Sequence, residues 1–550
     1  MATDTETLLT QSNKLFEQVM PLRSFQQELA EHFYVERADF TTSMNLGKDF
    51  ASHLTTSYPL TVRRDLANIF STMLRPQEKV WAVMTTRNYD DLDEDGKRWL
   101  EQGTHILRNA MYDQDSGFAR ATSQADDDIA VFGNAVISCE MNWRKRALLF
   151  RNWHLRDCVW CEDADGSVGR VDRRWKPYLY QLNDIFKGNI SPKLKEVLAK
   201  EPYREVEVRH IFVPVEEYDS GKGYARKGAK YVSIFYECEN KHVLEEIPYK
   251  HKYYAVPRWK TLSGSQYGYS PAATTAIGDA RLIQDAFLTL LEAGQKAVDP
   301  PMLAMEDVLR SDANLFAGGI TTIDSEDYDE SRMGKPLYPV MDQRSSSIPI
   351  GMEIIEGVKA AVRDAFYLSR IGLPAMGSGM SQMEVAQRVT EYVRGALPLF
   401  SPLTDEYNGN LCELGSAVLM ANGGFGPEDQ IPDSLLGKNV EFSFKNPLME
   451  AQEKIKGGML LESSAVLTQL AQYDPAVPAI LDAQVAARDV IDGIGAPRKW
   501  FRTQEQVQEI VSQQEQEMEA AKMIAGLTAG GEAAKAIGEG GAAIQQVAVQ

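Results

Sequence analysis

Cysteine is scarce in this chain of 550 residues: five, at positions 139, 158, 161, 238 and 412, an odd and scattered set. A disulfide scaffold is thereby excluded, and reduced thiols are the expectation. Histidine is also sparse, with seven residues dispersed without metal-ligand spacing, so no His/Cys metal site and no cofactor is expected. No run approaches the roughly 18 apolar residues that a bilayer-crossing helix needs. The opening MATDTETLLTQSNKLFEQ lacks the basic start and apolar stretch of a secretory leader, so a cytosolic product is expected, without membrane partners. Nucleotide and hydrolase signatures are missing too: there is no GxxxxGK followed by Ser or Thr, no GxSxG, no HExxH and no GxGxxG. P-loop ATPase activity is therefore not expected here, nor any assigned catalysis. Finally, basic residues are outnumbered, 58 against 78 acidic, for a net charge of −20. A protein that grips DNA neutralises phosphates with Lys and Arg. This chain on balance repels them, which argues against a sequence-specific DNA binder, although a local basic ring is compatible with an acidic whole.

What is present is a normal soluble composition, 44% hydrophobic and 25% charged. It is organised around residues 263–388. Ser270-Pro271 reads as a helix start, Ser as N-cap and Pro at the first position, where its missing N–H costs nothing. Ala276, Ala280, Ile283, Phe287, Leu290, Gly294 and Ala297 then recur at helical spacing. Asp299-Pro300-Pro301 ends that helix. A second helix begins after Ile348-Pro349, with Ile354, Val358, Ala361, Ala365 and Leu368 on its face. Both faces carry Ala and Gly as much as Leu, so each helix is expected to pack along a seam. Between them lies an insert holding nine acidic residues against Arg310, Arg332, Lys335 and Arg344. Its run Asp324 to Glu330 is too charged for a core and is expected at an exposed rim. After the second helix, Gly372-Leu373-Pro374-Ala375-Met376-Gly377-Ser378-Gly379 cannot be helical throughout. From Ser381 a helical pattern resumes through Met383, Val385, Ala386 and Val389.

Elsewhere, residues 11 to about 130 read as mainly helical. From Ala130 the period changes to that of strands: Val131 to Glu140, Ala147 to Trp153, Cys158 to Cys161, and Val168 to Val171 with Asp165-Gly166 as a hairpin turn. Val206 to Val215 and Tyr231 to Cys238 form a further strand pair, joined by the basic, glycine-rich 221–228 segment, read as a long hairpin tip. Asp91 to Gly96 matches the first half of an EF-hand loop, but its twelfth position is Gln102, so a solvated helix start is the better reading. Cys158 and Cys161 form a C-x-x-C, yet on a strand the two thiols face opposite sides, so a half-buried strand is favoured over a zinc or redox site. Val440 to Phe444 reads as a returning strand, residues 450–525 as helical, and the Ala/Gly-rich tail from 526 as a weak helix or a disordered end.

Arg258-Trp259, then Tyr267-Gly268-Tyr269-Ser270-Pro271, a helix, Asp299-Pro300-Pro301, and later Met383-Glu384-Val385-Ala386-Gln387-Arg388 resemble, in order and spacing, the head-to-tail connecting proteins, the portals of short-tailed bacteriophages. The family usually carries Arg where this chain has Tyr269, and two Thr where it has Gln382 and Met383. The likeness spans roughly residues 15–503. It implies an α+β, mainly helical portal fold assembled as a ring, a dodecamer in the family, at one capsid vertex, through which double-stranded DNA enters and leaves. It divides the chain into a wing (1–265), a first stem helix (266–298), a clip (299–349), a second stem helix (350–371), a tunnel loop (372–381), a long wing helix with a returning strand (382–449), a helical crown (450–525) and a tail (526–550). Gly372, Leu373, Pro374, Ala375, Met376, Gly377, Ser378 and Gly379 are then expected to face the channel. Asp324, Glu326, Asp327, Asp329, Glu330, Arg332 and Lys335 are expected to form the docking surface of the clip. The implied partners are further copies of the chain, the large terminase packaging motor, a tail adaptor, scaffold and major capsid proteins, and DNA passing non-specifically. Another oligomeric virion component, such as a scaffold or adaptor, and an unassigned enzyme are the alternatives.

Overall fold

Helix and sheet alternate in this protein because its apolar residues change period several times along the chain. The computed structural model describes residues 5–43, 47, 49–89, 92–218, 221–298, 302–304, 337–339, 347–371, 395, 398–427, 431–445, 460, 463–469, 481–482 and 486. They fall into two units, residues 1–449 and 450–550. In the second unit the described residues include a helical stretch at 463–469.

The first unit opens with helices α1 (Thr5–Gln18), α2 (Met20–Phe33) and α3 (Tyr58–Leu74), strand β1 (Ala82–Thr86), then α4 (Glu94–Met111) and α5 (Phe118–Phe132). Strands follow: β2 (Val136–Asn142), β3 (Ala147–Trp153), β4 (Cys158–Glu162) and β5 (Val168–Trp175). Two short helices, α6 (Leu179–Ile185) and α7 (Pro192–Leu198), precede β6 (Val208–Pro214), β7 (Tyr231–Glu237), β8 (His242–Tyr249) and β9 (Tyr254–Ala255). Strands β4 to β8 form an antiparallel five-stranded meander, and β3-β2-β9 a separate three-stranded sheet.

Strand β2 starts at Val136, not Val131. Gly133 takes a left-handed conformation (φ 73°) that lets α5 run on to Phe132 before the chain turns. The Asp165-Gly166 turn, the β6–β7 pair and β3 lie where the sequence placed them. Asp93 is a helix N-cap accepting from the Gly96 N–H at 2.7 Å, as the solvated-start reading expected, and the Ser434 hydroxyl donates to the same carboxylate. The 221–228 tip folds back on β8, where Lys222 and the Tyr224 hydroxyl both reach Glu246.

The long helix α8 (Ile277–Val298) is preceded by a π-helical turn, Ala272–Ala276. It is described to Val298; Asp299-Pro300-Pro301, the expected stop, lies outside the described residues. Strands β10 (Met302–Ala304) and β11 (Leu337–Pro339) pair antiparallel, so the chain leaving α8 and the chain approaching the next helix come together. That helix, α9 (Ser347–Ala365), begins two residues before Pro349, which sits harmlessly in its first turn. A break at Tyr367 (φ 60°) separates it from α10 (Leu368–Ile371). A second π-helical turn, Thr404–Gly409, leads into α11 (Asn410–Ala421), and β12 (Val440–Phe444) returns to pair with β1. The principal core joins Phe33, Phe70, Phe118, Phe150, Phe366 and Tyr407 from most of these elements. A satellite core lies under α6 and α7, where Leu182, Phe186 and Leu194 meet Val208 and Leu244.

Candidate functional site at the root of the helix pair

Of the residues that carried the family resemblance, Arg258-Trp259 and Tyr267 to Pro271 meet at one junction, while Asp299-Pro300-Pro301 and Met383 to Arg388 lie outside the described residues. Gly268 donates its N–H to Asn134 Oδ1 (2.7 Å), and Asn134 Nδ2 donates to the Gly268 carbonyl (2.8 Å). Trp259 N–H donates to the Gly133 carbonyl (2.8 Å). The two backbones approach so closely that a Cβ on Gly133 would meet the Tyr269 carbonyl carbon at 2.5 Å, and one on Gly268 the Gly133 oxygen at 2.7 Å. Ser270, buried, uses its Oγ twice: it donates to the Val131 carbonyl and accepts from Ala273 N–H as the expected N-cap. Tyr269, at the family's usual Arg position, is half-buried.

Arg258 is the electrostatic centre of this junction. Its guanidinium pairs with Glu406, in the second π-helical turn, and with Glu162 at the end of β4, and donates to the Gly166 carbonyl at 3.0 Å. Burial works against the charge, but the two carboxylates outweigh it and hold the Arg258 guanidinium above its ordinary range. Trp259 stacks edge-on against Phe70 at 5.1 Å. The next two residues of the same π-helical turn, Tyr407 and Asn408, face a buried pair, Arg75 and Asp126. Three successive residues, 406 to 408, thus all find partners on the inner side.

Helices α8 and α9 pack against each other beyond this root. A Cβ on Gly351 would stand 3.2 Å from Leu290 Cδ1, a close approach of the kind the small-residue faces suggested. Gln284 clamps α8 to the chain before α3: its Oε1 accepts from Thr55 and Thr56 N–H at 2.8 and 3.0 Å. The Tyr58 hydroxyl donates to the Lys359 carbonyl of α9 at 3.0 Å. The inward face of α9 differs from the sequence reading. Ile355, Val358, Val362 and Phe366 are buried, whereas Ile354 and Ala361 point outward. Leu282, Leu288, Leu291 and Val298 on α8, and Ile350, Met352 and Ile354 on α9, are 44–88% exposed.

Gly372, Leu373, Pro374, Ala375, Met376, Gly377, Ser378 and Gly379 lie outside the described residues. So do Asp324, Glu326, Asp327, Asp329, Glu330, Arg332 and Lys335. Sequence reasoning missed the Arg258 partners. Glu162 and Glu406 are 96 and 148 residues away, and no local pattern marks them. Cys158 and Cys161 sit on β4 as a buried and a half-buried thiol, and burial pushes them up to about 12 and about 11, away from thiolate chemistry. Among the described residues, no three His, Cys, Asp or Glu side chains are placed to hold a metal ion, and no helix is long and apolar enough to cross a membrane.

Residues 5–501 match the family model for the bacteriophage head to tail connecting protein. The chain belongs to that family, the phage portals. It is 24% identical over 381 residues to the portal protein of Salmonella phage epsilon15, covering 68% of this chain and 66% of that relative. It is 22% identical over 466 residues to the probable portal protein of Bordetella phage BPP-1, covering 83% and 81%. Among solved structures it is similar to chains of the neck of an empty gene transfer agent particle (TM-score 0.35) and of a native gene transfer agent virion (TM-score 0.37). Each is 11% identical and covers 80% of this chain, with 90% and 95% of those chains covered.

Proposed function

We propose that copies of this chain form a ring around a channel for double-stranded DNA at one vertex of the capsid, with α8 and α9 as the stem of each subunit. The observation that carries this is the exposed apolar row on both helices of the pair, set on a junction built from the residues typical of the portal family. Exposed apolar side chains on both helices of the pair suit a head-to-tail ring, in which each subunit contacts a neighbour on either side. The close β10–β11 pairing supports reading residues 299–349 as an excursion from the end of that stem, which the acidic run 324–330 makes suitable for docking basic partners such as a motor or adaptor. The uncharged 372–381 segment fits a steric collar about DNA and not a phosphate-binding one, since Lys and Arg are absent from it.

Native mass spectrometry of the purified chain tests the ring directly. A single closed assembly of about a dozen copies is expected; a monomer or dimer at micromolar concentration would refute it. Deleting residues 320–335 should leave rings intact in electron micrographs while abolishing adaptor binding. Loss of the rings would instead make the insert an assembly element.

A further inference from the structure

The turn between β2 and β3 carries Asn142-Trp143-Arg144-Lys145-Arg146, and residues 143–146 are exposed. Trp143 is 72% exposed. Nothing in the fold needs it there. The turn is built by its backbone and by Asn142: Lys145 N–H donates to the Asn142 carbonyl, Asn142 Oδ1 accepts from Arg144 N–H, and Arg146 takes a positive φ of 53°. Lys145 pairs with Asp115, but among the described residues Arg144 and Arg146 have no carboxylate partner. In a chain of net charge −20, a tryptophan flanked by free arginines is an unusual surface.

Beside it lies a cleft of about 460 Å³. Met141, Tyr249, Tyr253 and Val418 contribute to its lining, Trp143 stands at its edge, and the exposed Lys250 adds a further cation. Its one carboxylate, Glu140, accepts from the Tyr253 hydroxyl at 2.9 Å. The cleft is large enough for one or two apolar side chains; Lys250 lines it together with Trp143, and Arg144 and Arg146 follow Trp143 along the exposed turn.

We propose that this hairpin tip and cleft dock an acidic, amphipathic segment of a partner protein. An aromatic or aliphatic side chain enters the cleft against Trp143 and Tyr249, and neighbouring carboxylates meet Arg144, Arg146 and Lys250. Charge complementarity selects that partner: the patch is positive where the molecule as a whole is negative, and a buried aromatic anchor ringed by charge is the usual make-up of a binding hot spot. A nucleic acid fits less well. It needs a continuous positive track for its backbone, whereas here a carboxylate lines the cleft and the cations form a small cluster. The proposal does not depend on the ring.

The test is fluorescence anisotropy on the purified full chain. The probes are a labelled peptide of about 14 residues alternating Asp/Glu with Leu/Phe, its Lys-substituted counterpart, and single- and double-stranded DNA oligomers of similar length. The acidic peptide is expected to bind and to shift the tryptophan emission to shorter wavelength; the Lys peptide is expected not to bind. Trp143→Ala and the double change Arg144→Glu/Arg146→Glu should each weaken it at least tenfold. Both alter an exposed turn, so thermal melts should match the unmodified chain, and the pair guards against a folding defect in either. Acidic-peptide affinity unchanged in both variants, or no binding at all, would overturn the proposal. Oligomer binding lost in the same variants would assign the surface to nucleic acid instead.

Discussion

His210 ties pH to stability through its charge state. It is buried, stacked on Phe235 at 4.0 Å, and shares hydrogen bonds with the Tyr254 hydroxyl (2.6 Å) and the Ser233 hydroxyl (2.7 Å). Burial, helped by the nearby Arg173 cation, pushes its pKa well below the ordinary value of 6.5. The folded state therefore holds a neutral imidazole where the unfolded chain would take up a proton. This contribution to stability is complete above the unfolded pKa and is lost as pH falls below it, by about 2 kcal/mol at pH 5 for a group that stays neutral. Between pH 7 and pH 5 the raised Asp126 carboxyl acts in the opposite sense, its cost being relieved as pH falls. The test is therefore the difference between variants: urea midpoints of His210→Gln should gain on those of the parent chain as pH is lowered from 7 to 5, even if the variant is less stable at pH 7. The Arg75–Asp126 pair is a second residue-level lock. Both members are buried, and burial raises the Asp126 carboxyl to about 6 although Arg75 opposes the shift. Arg75→Ala would strand that carboxylate and the Asn408 amide oxygen, so a loss of about 3–5 kcal/mol is expected in chemical denaturation. Arg75→Met/Asp126→Leu should recover much of it.

At the scale of elements, the junction between Gly133 and Gly268 is where the chain tolerates least change. Gly133 combines positive φ with the approach of the Tyr269 backbone. Gly133→Ala must distort one or the other, and a cost of about 1–3 kcal/mol from φ alone is expected before the clash is counted. Limited proteolysis should then cut near residues 262–266 faster than in the unmodified chain. This junction also shows how far sequence could lead. Local signals were readable: Ser270-Pro271 as a helix start, Asp165-Gly166 as a turn, the Asp91 to Gly96 run as a helix start, and Val440 to Phe444 as a strand. Each is decided within a few residues. The inward face of α9 was misread because Ile354 and Ile355 are equally apolar, and only the packing of α9 on the rest of the fold selects Ile355 for burial. The Arg258–Glu406–Glu162 cluster joins residues more than ninety positions apart, and no local pattern in the sequence marks either π-helical turn. Helices α6 and α7 were missed because each is too short for its apolar period to stand out.

At the scale of the whole molecule, two terms oppose each other in any ring of this chain. Each copy carries −20, so bringing copies together is electrostatically unfavourable, and salt relieves that cost. The exposed row of Leu288, Leu291, Met352 and Ile354 supplies the opposing attraction, which is apolar and weakly dependent on salt. Ring formation should therefore strengthen as salt is raised from about 50 to about 500 mM, the reverse of what an ion-paired interface would do. Replacing Leu291 and Ile354 by Glu adds charge to the same surface and removes its apolar contacts. Since both side chains already face solvent in the single chain, the melting temperature of the subunit should move little. Sedimentation velocity should find the double variant monomeric across that whole salt range, while the parent chain forms rings increasingly above about 200 mM. If the variant still closes into rings, those helices are not the seam between subunits. If salt instead disperses the parent rings, ion pairs and not the apolar row hold them together.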